Sequence, residues 1–132
     1  MVTYSDLCTS AGVKDIPVAS AAVVYTAAVP ISFGAYFSLS YKATNAAQNV
    51  KLKIEYQVSW EMPDSDADDA DWVEPESASD IETALATKTQ HVKAITPVVA
   101  KFLRIKITGV AGDSANGAAT TIRLKLGIDD GI

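Results

Sequence analysis

The chain has 132 residues, with 16 acidic and 11 basic side chains and a net charge of −5. At 48% hydrophobic and 20% charged, it has the make-up of one globular domain with its own core, which excludes a disordered chain. A lone cysteine, Cys8, and a lone histidine, His91, exclude an intrachain disulfide, a cysteine-cluster zinc site and the two-histidine zinc-protease motifs.

The N-terminus, MVTYSDLCTSAG, has neither a basic leader nor an apolar run, so no secretory signal is expected there. Residues 1–30 are rich in Ala, Val, Ser and Thr, contain Pro17 and Pro30, and show little patterning. They read as an extended arm, lying on the domain or on a neighbouring molecule, or as a first strand with a loose lead-in. A helical turn could start at Ser5-Asp6, and a weak strand is expected at 22–26. Residues 16–41 carry no charge and exceed the roughly 20 residues that span a bilayer. Yet Pro17, Pro30 and Gly34 interrupt them, and Ser32, Ser38 and Ser40 alternate with Phe33, Phe37, Leu39 and Tyr41. Period two means a half-buried strand, so no transmembrane segment is expected.

Residues 44–49, TNAAQN, read as a hairpin loop. Strict alternation follows over 50–60: Val50, Leu52, Ile54, Tyr56, Val58 and Trp60 face one way, with Lys51, Lys53, Glu55, Gln57 and Ser59 on a wet face. Residues 61–82 then hold ten acidic side chains and no basic one, so the remaining chain carries a net +5. Charges this dense repel, and the stretch reads as a solvated acidic loop, with a helical turn possible at 79–82. Weak strands are expected at 84–89 and 91–96, the latter pushed toward an edge by Pro97. Two more alternating runs close the chain. Residues 101–108 put Leu103, Ile105 and Ile107 inward, and 120–128 put Ile122, Leu124, Leu126 and Ile128 inward. The turn-rich stretch 109–119, with its Asn116-Gly117 step, joins them. The expected architecture is all-β: an antiparallel β-sandwich of jelly-roll type with six to eight strands, an N-terminal arm over 1–30 and one domain over 31–132.

Candidate sites are few. Asp64, Asp66 and Asp68 supply oxygen ligands at alternate positions, a weak calcium candidate, but Asp69 and Pro75 break the EF-hand pattern. No other cofactor is expected. His91 has no nucleophile motif near it, and Cys8 has no basic neighbour to lower its pKa, so no enzyme activity is expected. Lys51, Lys53, Arg104, Lys106, Arg123 and Lys125 all occupy outward strand positions. If their strands adjoin, they form one basic face: a docking surface for an acidic partner, such as the acidic loop of a neighbouring copy, or a solvated face that lysines protect from edge pairing. Few aromatics interleave them, so nucleic acid is not the expected partner. Trp60 and Trp72 flank the acidic loop. As an exposed pair they could stack on a sugar; otherwise Trp60 caps the core and Trp72 pins the loop.

The order KIEYQVSWE, acidic turn, DW, then KFLRIKITG and a final TTIRLKLGI, resembles the pattern of discoidin-like, galactose-binding-type jelly rolls. It is equally similar to small β-sandwich virion accessory proteins of tailed bacteriophages, among them capsid decoration (cement) proteins. Tyr56, Gln57, Ser59, Trp72, Phe102, Leu103, Arg104, Ile105, Ile107 and Gly109 carry the likeness, over about residues 50–128. The virion resemblance implies a non-enzymatic structural protein that clamps major capsid or other virion subunits as a homo-oligomer, with a trimer as the expected form. It also implies location in the virion, after assembly in the host cytoplasm. The galactose-binding resemblance implies a carbohydrate-binding or adhesion module, including a phage tail or baseplate component.

Overall fold

A computed structural model describes residues 2–44, 50–61, 72–75, 80–85, 90–96, 100–111 and 119–131. These form ten strands: β1 (Val2–Asp6), β2 (Ile16–Val18), β3 (Val23–Tyr25), β4 (Val29–Pro30), β5 (Tyr36–Thr44), β6 (Lys51–Ser59), β7 (Asp80–Leu85), β8 (His91–Ile95), β9 (Phe102–Ala111) and β10 (Thr120–Asp129). They make two antiparallel sheets. The front sheet has the order β1-β10-β5-β8, with β2 also on β10, and the back sheet has the order β3-β9-β6-β7, with β4 also on β9. The protein is an antiparallel β-sandwich, as the alternating runs require. Eight strands make the two main paths, and β2 and β4 are short additions.

The pairings are nested. β6 pairs β7, β5 pairs β8, β3 pairs β9 and β1 pairs β10. The chain is thus one long antiparallel ribbon doubled on itself and then folded over. β6 and β7 pair at its closed end. Folding the ribbon over adds two further ladders, β5 with β10 and β6 with β9.

The core lies between the sheets. The inward residues of β6, β9 and β10 (Leu52, Ile54, Tyr56 and Val58; Leu103, Ile105 and Ile107; Ile122, Leu124, Leu126 and Ile128) are all buried. Leu39, Tyr41 and Ala43 of β5 join them from the front sheet. Thr120 ties one end of the sandwich together, its hydroxyl donating to the Val50 carbonyl at 2.6 Å.

Residues 2–30 run extended and lie on their own sandwich. β1 and β2 take consecutive stretches of β10, and β3 and β4 do the same on β9. Pro17 and Pro30 fall on these edge pieces, where a residue without an N–H is tolerated. Thr26 bridges the step between β3 and β4: its N–H donates to the Ile105 carbonyl and its Oγ1 accepts from the Ile105 N–H at 2.9 Å.

Four local expectations are corrected. Ser5 and Asp6 belong to β1, not to a helical turn, because they pair Leu126 and Lys125. Residues 80–82 start strand β7 instead of forming a helical turn, and this strand precedes the expected span 84–89. Residues 44–49 do not join a hairpin, since β5 and β6 lie in different sheets. The second face of β6 is wet only at its start: Lys51 is exposed and Lys53 half-buried, but Glu55, Gln57 and Ser59 are buried. The edge position expected of 91–96 holds, with β8 at the end of its sheet.

Of the described glycines, Gly109 is the one held closest to other backbone. A Cβ there would lie 2.0 Å from the Ala19 carbonyl oxygen, because the 19–22 turn is bonded directly to Gly109 through Ala21 and Ala22. Gly109→Ala is therefore expected to destabilise the fold by about 3 kcal/mol, as overpacking against rigid backbone does. Urea unfolding checks this, and an unchanged midpoint would show that the turn is free to move away.

Candidate functional site

The six outward cations do not share a face. β6 and β9 adjoin in the back sheet, carrying Lys51, Lys53, Arg104 and Lys106, whereas Arg123 and Lys125 sit on β10 in the front sheet. The sandwich core separates the two groups.

Three of the four back-sheet cations are engaged in place, and Lys51 is exposed. Arg104 is fully buried, its guanidinium 3.7 Å from the Tyr25 ring centre and 4.7 Å from that of Trp72. Its Nε donates to Gln57 Oε1 at 2.7 Å. A planar, weakly hydrated cation between two aromatic faces is an arrangement that arginine allows and lysine does not. Gln57 in turn donates to Glu74, which also takes Lys106 at 3.3 Å. Burial acts to lower the Lys106 pKa, but the hydrogen bond to Glu74 and the charges of Glu74 and Glu55 raise it overall. Lys53 lies 3.7 Å from Glu55 and 4.0 Å from Asp80.

This explains the covered face of β6. Val73 pairs Val58 as an isolated bridge, so its neighbours Trp72 and Glu74 reach over the sheet onto Arg104, Gln57 and Lys106. Trp72 is 6% exposed and Trp60 58%, so they are not an exposed pair. Trp72 pins the end of the acidic stretch, and Trp60 does not cap the core. The Trp72 indole N–H is buried and has no hydrogen-bond partner among the described residues.

Asp64, Asp66 and Asp68 lie outside the described residues. Among those described, no group of three or more His, Cys, Asp or Glu could hold a metal ion. No described helix is long and apolar enough to cross a membrane. His91 is half-buried at the edge of the front sheet, its ring 5.3 Å from that of Tyr41. The Tyr41 hydroxyl donates to Glu82, linking β5 to β7 across the core. Burial first, then this hydrogen bond and the Glu82 charge, raise the Tyr41 pKa well above its ordinary value. Lys93 donates to the Ile81 carbonyl at 2.6 Å, a second tie between the sheets. Cys8 is free and half-buried.

Among the described residues, the outer face of the front sheet carries two concavities that sequence reasoning missed. The larger is a groove of about 630 Å³ lined by Asp6, Asp15, Ser40, Lys42, Thr44, Gln90, Thr121, Arg123, Leu124 and Lys125. Its floor pairs Arg123 with Lys42 and Lys125 with Ser40. Its acidic rim makes loose pairs, Lys125–Asp6 at 3.8 Å, Lys14–Asp6 at 3.6 Å and Arg123–Asp15 at 3.6 Å, between side chains exposed by a third or more. Such pairs contribute little and are screened by salt. Lys42 has no ion pair among the described residues.

The smaller concavity, about 220 Å³, is lined by Val2, Tyr4, Tyr36, Phe37, Ser38, Gly127, Ile128 and Asp129. Tyr4 and Tyr36 are each more than two-thirds exposed. Gly127 faces outward beneath the Tyr4 ring, and a Cβ there would lie 3.2 Å from it. The signal was present in the outward parity of β10, where Arg123, Lys125, Gly127 and Asp129 share one face, and in that of β5, with Tyr36, Ser38, Ser40 and Lys42.

No protein-family model matches this chain, and no curated protein matches it.

Arg104→Lys is expected to destabilise the protein by about 2 kcal/mol or more, since an ammonium cannot fill a buried two-sided stack. Chemical denaturation measures the loss, and a red shift of Trp72 emission should accompany it. A variant of wild-type stability and emission would show that the stack holds nothing in place.

Proposed function

We propose that this chain is a non-enzymatic structural protein that binds other subunits in a virion, as a capsid decoration or cement protein. The observation that carries the reading is the nested strand order. Eight strands paired 6 with 7, 5 with 8, 3 with 9 and 1 with 10, then folded into two sheets, support the jelly-roll type. Viral capsid and lectin domains both use that architecture. The virion part of the proposal rests on the resemblance over residues 50–128. The proposed partners are the major capsid protein or other virion subunits, with further copies of the chain beside them. Deleting the coding sequence from the genome that carries it should give particles that burst at a lower temperature. Purified particles that lack the protein to begin with would remove this reading.

A second reading, a carbohydrate-binding or adhesion module, is favoured by the Tyr4–Tyr36 concavity. Two exposed rings beside the Ser38 hydroxyl and the Asp129 carboxylate offer stacking and hydrogen bonding to a sugar. A glycan array should then give hits that Tyr4→Ala loses. An array without hits, calcium included, would remove this second reading and leave the first standing.

A further inference from the structure

We propose that the front-sheet groove binds an aspartate-rich peptide, and that its occupant is the segment 64–71 of a second copy of this chain. The inference goes beyond the virion reading and holds with or without it.

The first argument is charge. Residues 61–82 carry ten acidic side chains and no basic one, while the rest of the chain is net positive. Of the back-sheet cations, Lys53 and Lys106 pair with Glu55, Asp80 and Glu74 and Arg104 is buried, while Lys51 is exposed at the start of β6. The front-sheet share is open. Lys42 and Arg123 lie side by side on the groove floor and Lys125 lies two residues further along β10, against Asp6 and Asp15 at the rim. The rim pairs are long and exposed, so an incoming carboxylate can displace them at little cost.

The second argument is spacing. Arg123 and Lys125 stand on one face of a strand, about 7 Å apart along it. A peptide bound in extended form, with carboxylates at alternate positions, presents the same repeat of about 7 Å. Asp64, Asp66 and Asp68 have that alternation. Asp69 and Asp71 continue it on the other face and add to the general attraction.

The third argument is reach, which makes the contact one between copies. The segment leaves β6 after Ser59 and returns at Trp72, which is packed on the outer face of the back sheet. Ten residues, 62–71, that must go out and come back extend at most about 17 Å. The groove lies on the opposite face of the sandwich, beyond two backbones about 10 Å apart. It is also displaced toward the other end, because Thr120, next to its floor, bonds Val50 at the start of β6, about 30 Å from Ser59 along the strand. A chain's own segment therefore falls short of its own groove.

Donor and acceptor surfaces on different faces of one subunit make a head-to-tail contact. Such contacts close into rings or run on as chains.

The test is solution mass by light scattering on the full chain. Wild type should associate at about 0.02 M salt and disperse at about 0.5 M, where the screening length falls to a few ångströms. Two variants separate the halves of the contact: Lys42→Gln with Arg123→Gln and Lys125→Gln, and Asp64→Asn with Asp66→Asn and Asp68→Asn. Their substitutions fall on exposed strand positions or in the acidic segment, and circular dichroism checks that both stay folded. Each should be monomeric alone at low salt. Mixed in equal amounts they should form a dimer and nothing larger, since each retains the half that the other lacks. A wild type that is monomeric at low salt overturns the proposal, as does association that survives in either variant or a mixture that stays monomeric. Binding of a free peptide of residues 62–71 by a strictly monomeric protein would keep the groove and overturn the second copy as its occupant.

Discussion

The doubled-over ribbon is the constraint on which the rest depends. Each main strand finds one partner in the nested hairpin and the four central ones find a second when the ribbon folds over. β9 and β10 therefore carry ladders on both sides, and their inward isoleucines and leucines are buried to within 2%. Almost every pairing is distant in sequence: Val2 lies beside Asp129, and Phe37 beside both Ile95 and Ile128. Such a topology cannot be assembled piecemeal, and loop closure precedes most of the gain from burial. The ties between sheets, Tyr41 to Glu82, Lys93 to Ile81 and Thr120 to Val50, fix how the two layers sit on each other.

The two outer faces meet water in different ways. On the back sheet, a strand of three residues and a single bridge bring Tyr25 and Trp72 over Arg104, and a buried cation holds the face shut. On the front sheet no described segment crosses the outer face of the central strands. Its charges remain in loose pairs, and its tyrosines stand free beside Gly127. The closed face contributes to stability, and the open one is where recognition is proposed.

Much of this was legible in the residues, because a strand with one buried face writes its period into the sequence. The runs now seen as β6, β9 and β10 were found to within a few residues at each end. What alternation cannot convey is which strand lies next door. Lys53 and Arg123 have the same outward parity and end on opposite sides of the molecule. Nor does it show what lies over a face: Glu55, Gln57 and Arg104 look solvent-facing until Trp72 and Glu74 are placed on top of them. β7 was displaced in the reading because its ladder with β6 shifts register twice, which breaks the period of two. The front groove went unseen because Asp6, Asp15, Lys42 and Arg123 come from four separate stretches that only the fold brings together.

The unlike settings of Trp60 and Trp72 have one more consequence. The two indoles bracket the acidic segment, one in water and one held against a cation in the interior. Quenching by an added solute such as acrylamide should reach the first freely and the second hardly at all. The chain thus carries a pair of native optical reporters on either side of residues 61–71, the first half of its acidic stretch. Whatever grips that stretch from outside should change the light from Trp60 before it disturbs Trp72, with no dye attached.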